Sequence, residues 1–202
     1  MPWINTIAYA DATGRLKELY DRIKGPDNNV DNIMMAHSLR PHSMEGHMAI
    51  YKSVLHHARN TIDKWFLETL GVWVSQLNGC GYCFDHHFTG LARLLGDPER
   101  ADAIKVALMA GDIDGGPFDA PQKSALRYAS ALTRSPETVD VTMVDALRDA
   151  GWDDGQILEI NQVVAYFAYA NRTVLGLGCS TSGDILGLSP NNADSADDWS
   201  HT

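Results

Sequence analysis

The chain has 202 residues, 45% hydrophobic and 21% charged, with 16 Lys and Arg against 26 Asp and Glu for a net charge of −10. That length and balance describe a folded chain able to bury a core without disulfides or metal, and they exclude disorder. The acidic excess excludes nucleic acid and anionic membrane surfaces as partners, no apolar run approaches the ~20 residues of a membrane span, and 3 cysteines are too few for a secreted disulfide framework. Met1-Pro2-Trp3-Ile4-Asn5 lacks the basic-then-apolar build of a signal peptide, so the expected location is cytoplasmic.

The hydrophobic period is helical throughout. A first helix is expected from Asp11 to Ile23, carrying Leu16, Leu19 and Tyr20, with Gly25-Pro26 as its stop. Asp31 is placed to cap a short helix, and Pro41 opens another through Met44, Met48, Tyr51 and Leu55. The stretch from Thr61 to Leu77 is apolar over a broad face and ends at Asn78-Gly79. A helix from about Cys80 or Gly81 to Leu95 follows, then one over Ala101 to Met109. The Gly- and Asp-rich loop from Gly111 to Pro117 is the one candidate sub-domain boundary. Beyond it lie helices from Asp119 to Leu132, from a Thr142 cap to Ala150, and from an Asp153 cap through Gln156 to Leu175. The expected fold class is all-α: residues 1–188 form a single helical domain and 189–202 an acidic tail, either disordered or laid across a neighbouring subunit.

Cys80-Gly81-Tyr82-Cys83 is a CxxC motif at a helix start. Unpaired N–H groups and the helix dipole there favour a thiolate, the reactive form in peroxide reduction and disulfide exchange. His87 follows Cys83 by four residues and Cys80 by seven, so all three share a face, and an imidazole there accepts a thiol proton. His86 points about 100° away and reads as half-exposed helix surface. Glu68 sits inside Trp65-Phe66-Leu67-Glu68-Thr69-Leu70, where a charge is costly unless paired; a carboxylate there orients a histidine base. Cys179 reads as a small buried apolar residue, and His42, His47, His56 and His57 read as surface histidines, the alternative being that Pro41 to His47 lines an entrance to the pocket. Asn171-Arg172 reads as a polar clamp at a subunit interface.

Glu68, Cys80, Cys83 and His87 together spell E-x11-C-x2-C-x3-H. This resembles the carboxymuconolactone decarboxylase and AhpD-like alkylhydroperoxidase superfamily. Val74-Ser75-Gln76-Leu77-Asn78-Gly79-Cys80-Gly81-Tyr82-Cys83-Phe84-Asp85-His86-His87 is similar to the pattern of its peroxidase-related branch, VSxLNxCxYCxxHH. Ala150-Gly151-Trp152 and the helix ending Tyr169-Ala170-Asn171-Arg172 extend the likeness over roughly residues 40–188. The resemblance implies an AhpD-like helical fold, a homo-oligomer (trimer or hexamer), no cofactor, and a thiol peroxidase reducing organic hydroperoxides or hydrogen peroxide. It implies Cys83 as attacking thiol, Cys80 as resolving thiol, Glu68 and His87 as proton relay, and a lipoylated or thioredoxin-like dithiol reductant. One departure stands out: Tyr82 occupies the place of a histidine in the best-characterised alkylhydroperoxidases. Two other readings use the same residues. One is a metal-binding or sensing module with Cys80, Cys83 and His86 or His87 as ligands; the other is a decarboxylase-like enzyme acting on a small acid through Glu68 and His87.

Overall fold

The computed structural model describes residues 2–187, which form nine α-helices and no strand. The acidic tail from residue 189 lies outside the described residues. The helices are α1 (Gly14–Ile23), α2 (Asn32–Ala36), α3 (Pro41–Tyr51), α4 (Lys64–Leu77), α5 (Gly81–Leu95), α6 (Pro98–Ala110), α7 (Ala120–Arg134), α8 (Val141–Asp149) and α9 (Asp154–Leu177).

Local chemistry sets most boundaries. Asp119 with Gln122 and Asp153 with Gln156 form capping boxes that open α7 and α9, each satisfying orphan N–H groups at both partners. Gly96, Gly111 and Gly178 end α5, α6 and α9 in the left-handed conformation that suits glycine. Several starts differ from expectation, α1 opening at Gly14 rather than Asp11 and α6 at Pro98 rather than Ala101. Thr142 does not cap α8; Asp140 does, accepting the Thr142 amide at 3.0 Å and its hydroxyl at 2.6 Å. Helix α4 begins at Lys64 rather than Thr61, because the Glu159 carboxylate on α9 takes the amides of Thr61 (2.9 Å) and Ile62 (3.1 Å).

Helix α4 is the axis of the fold. Every residue from Phe66 to Ser75 is buried, including Glu68, because α5, α7 and α9 pack around it. A helix apolar on all sides has no solvent face to spare, which is the pattern its sequence shows. Gly71 lets the Phe167 ring of α9 lie directly on the α4 backbone, and Trp73 donates its indole N–H to Leu126 O and Ser130 Oγ on α7. The end of α3 widens into a π-helical turn over Lys52–His56, which carries His56 into the interior beside Glu68. After α9 the chain returns to α2, where Asp184 accepts from the Asn32 amide and side chain.

Candidate active site

Cys80 is the N-cap of α5 and Cys83 stands in its first turn. One helical turn brings their Sγ atoms to 2.9 Å. Both thiols are free and buried, Cys80 to 1% exposure and Cys83 to 3%. Their contact separates the two ionisations: the hydrogen bond between the two sulfurs holds the Cys80 thiol below its ordinary value. The same bond, with burial, holds the Cys83 thiol well above it, while a hydrogen bond with Asn171 acts the other way.

The relay residues meet across α4 and α5. The Glu68 carboxylate, 2% exposed, reaches His87 Nδ1 at 2.7 Å, and His56 Nε2 lies 3.9 Å from its other oxygen. An almost fully buried carboxylate thus has imidazoles on both sides, the pairing its apolar surroundings demand. The Phe167 ring meets His87 edge-on at 4.6 Å and fixes the imidazole plane.

Glu68, Cys83 and His87 border one cavity of about 60 Å³, with Met48, Tyr51 and Tyr166 among its walls. At ~30 Å³ per water in the liquid this is room for about two waters, the scale of a small hydroperoxide head. Cys80 is not among the residues lining it; that thiol packs instead with Val174, Ile33 and Cys179. His47, expected at the surface, is buried at the cavity and lies 3.1 Å from the Tyr166 hydroxyl. Burial pushes its pKa down to about 3, so it is neutral. His56 is likewise interior rather than exposed.

His86 also departs from expectation. It is 9% exposed, stacks on Tyr82 at 4.6 Å, and puts Nε2 3.3 Å from Asp184. Tyr82 donates to Asp184 at 2.6 Å and accepts the Ile33 amide at 3.2 Å, and burial raises its pKa well above 10. Tyr82 is thus a structural tie, not a base. Among the described residues, the His, Cys, Asp and Glu side chains that converge closely enough to hold an ion are Asp31, His86 and Asp184. No cysteine is in that group, and His86 Nε2 faces the Asp184 carboxylate. Asp31 occupies the N-cap of α2 but makes no capping bond. Asp31 is among the residues lining the cavity, and its carboxyl pKa is raised to about 7 by burial, with Asp184 adding to the rise and His86 opposing it.

Two further positions differ from their sequence readings. Asn171 is fully buried inside the chain, joining Ser75 (3.1 Å) and Asn78 (2.9 Å), and is no interface clamp. Cys179 is partly exposed, and burial lifts its thiol to about 11. Asp31 and Asp184 escape sequence reasoning because they come from loops 153 residues apart with no periodic signal. Asn171 left a usable trace: a polar side chain directly after the apolar run Ala168-Tyr169-Ala170.

No family model matches the sequence, and no curated protein does. Solved structures do. A peroxidase-related protein from Ralstonia eutropha JMP134, described as an alkylhydroperoxidase AhpD core, is 20% identical; the match covers 94% of this chain and 98% of that one, with a TM-score of 0.74. A peroxidase-related protein from Silicibacter sp. TM1040 is 24% identical over 73% of this chain and 74% of its own, TM-score 0.65. The debrominase Bmp8 is 18% identical over 87% of this chain and 89% of its own, TM-score 0.68, and another of its structures holds 2,3,4-tribromopyrrole. The fold is AhpD-like, as the sequence motif implied.

Proposed function

We propose, for this AhpD-like chain, a thiol peroxidase in which Cys83 attacks a small hydroperoxide and Cys80 resolves the product. One observation carries the reading: Cys83 opens onto a cavity that also touches the Glu68–His87 pair, while a second thiol stands 2.9 Å behind it. His87 takes the Cys83 proton, and Glu68 stabilises the imidazolium. The thiolate attacks the terminal peroxide oxygen, the O–O bond breaks, and Cys83 becomes a sulfenic acid as an alcohol leaves. Cys80, the more acidic thiol, then attacks that sulfur; water departs and a disulfide forms. An external dithiol, lipoylated or thioredoxin-like, restores both thiols by exchange. The chemistry needs no metal or organic cofactor.

Self-association belongs to the same proposal. Leu158 and Tyr169, eleven residues apart on α9 and so on one face, are 59% and 40% exposed, an apolar pair for a second copy. Sedimentation at micromolar concentration tests it; a stable monomer refutes it.

Peroxide consumption with dithiothreitol tests the activity. Loss in Cys83→Ser, with a new Cys80–Cys83 disulfide by mass spectrometry in the parent, supports the proposal; unaltered turnover in Cys83→Ser overturns it. The fold of Bmp8 favours a second reading, in which the dithiol reduces a carbon–halogen bond to C–H, releases halide and ends as the same disulfide. Halide release from a brominated pyrrole, without peroxide consumption, selects it.

A further inference from the structure

Peroxide cleavage needs two opposite proton services, and the relay supplies one. A thiol must lose a proton before attack, and the departing oxygen must gain one, because an alkoxide is a poor leaving group. Glu68, hydrogen-bonded by His87, belongs to the first service. We infer that Asp31 performs the second, handing its carboxyl proton to the oxygen that leaves when the O–O bond breaks; this role rests on the peroxidase reading above.

The geometry separates Asp31 from every other carboxyl near the thiols. It sits at a helix N-cap, where an aspartate ordinarily accepts backbone N–H bonds, yet its carboxyl forms none. The side chain lines the cavity that Cys83 lines. Its close neighbours are already committed. Asp184 accepts from the Asn32 amide at 3.1 Å, from Asn32 Nδ2 at 2.6 Å and from Tyr82 at 2.6 Å, so its oxygens are committed as acceptors. Tyr82 spends its proton on Asp184. His86 Nε2 stands 3.3 Å from Asp184, within the same cluster as Asp31. Around the rest of the cavity are Cys83, Glu68, His87 and His47, with the hydroxyls of Tyr51 and Tyr166. Neither Asp31 nor Asp184 pairs with a lysine or arginine among the described residues. A carboxyl that is short of donors and beside a second carboxylate keeps its proton, and its raised value of about 7 agrees with that.

In the step, Cys83 sulfur bonds the terminal oxygen of the hydroperoxide and the O–O electron pair passes to the other oxygen. The Asp31 proton closes that oxygen as an alcohol, leaving Cys83 as the sulfenic acid and Asp31 as a carboxylate, and the proton that His87 took from Cys83 returns through the cavity to restore it.

Leaving-group dependence tests the role. Single-turnover oxidation of Cys83 is followed by iodoacetamide quench and mass spectrometry, with two oxidants. Tert-butyl hydroperoxide expels an alkoxide and needs an acid; peracetic acid expels acetate and does not. Asp31→Asn should slow the first by roughly 10²-fold, the lower end for a positioned acid, and leave the second within about threefold. Equal slowing of both oxidants, or of neither, overturns the inference while leaving the peroxidase reading standing. No oxidation of the parent by either oxidant overturns both. Should the variant fail to fold, the parent's own pH dependence decides. Its rate ratio, tert-butyl hydroperoxide over peracetic acid, should fall about fourfold between pH 5.5 and 7.5 as Asp31 ionises, and a flat ratio refutes the role.

Discussion

Gly71 has no room for a methyl group, and replacing it with alanine measures how tightly the core clamps the relay. A Cβ there would lie 2.1 Å from Phe167 Cε2 and Cζ, against 3.4 Å for ordinary contact, so the ring must retreat by about 1.3 Å. Phe167 is fully buried and has nowhere to go without displacing neighbours. Overpacking of this kind costs about 3 kcal/mol, the upper end of the usual range. Alanine returns about 1 kcal/mol through helix propensity, for a net loss of about 2 kcal/mol. At roughly 2–4 °C per kcal/mol in a chain of this size, Gly71→Ala should melt about 4–8 °C below the parent. Gly46→Ala is the control: it sits exposed in α3 with nothing near a new Cβ, and should melt about 2–4 °C higher. Because the Phe167 edge meets His87 at 4.6 Å, Cys83 oxidation should slow in Gly71→Ala and not in Gly46→Ala. A Gly71→Ala melting point at or above the parent's, by calorimetry, would refute the packing argument.

Glu68→Gln and His87→Ala should each reduce peroxide consumption by roughly 10²-fold, with the double variant little worse than the poorer single one, because the two act as a unit; additive losses in steady-state assays would show independent roles. The folded-state pKa of Asp31, about 7 against 3.8, gives a signed stability effect. Below about pH 4 both states hold the proton and nothing is lost. From there to pH 7 the unfolded carboxyl ionises first, so parent stability falls relative to Asp31→Asn by about 4 kcal/mol, read from urea melts; a pH-independent difference contradicts the burial of that carboxyl. Asn171→Ala leaves Asn78 Nδ2 without its acceptor, costs about 1–3 kcal/mol in the same melts, and moves Cys83 alkylation to higher pH; unchanged alkylation would free Asn171 from any part in tuning the thiol.

The sequence made the redox face legible because it is local. Cys80, Cys83 and His87 lie on two turns of one helix, where spacing alone sets direction, and Glu68 announced itself as a charge in an apolar run. The caps Asp119 and Asp153 and the glycine stops were readable for the same reason. What stayed hidden needed tertiary contact. Nothing in the sequence near Thr61 foretold that Glu159 would take its amide, and nothing near His47 foretold that Tyr166 would bury it. His86 was misjudged because its partner Asp184 arrives from a loop 98 residues away. Asp31 was legible as a cap by type and position, and only the cavity drew its carboxyl elsewhere.

The tie between Asp184 and Asn32, 152 residues apart, also orders events in time. A chain emerges from the ribosome N-terminus first, so α2 and the CxxC turn exist well before their closing residue does. Asp184 follows Cys80 by 104 residues, an interval of about 5–20 s at ordinary synthesis rates. Throughout it Tyr82 and His86 lack the carboxylate that anchors them, and the wall holding Asp31 stands open. The thiols therefore pass their first seconds in a half-built pocket, more open to alkylating agents or chaperones than the finished one. Reactivity in the nascent chain and reactivity in the mature protein are, on this account, properties of two different sites.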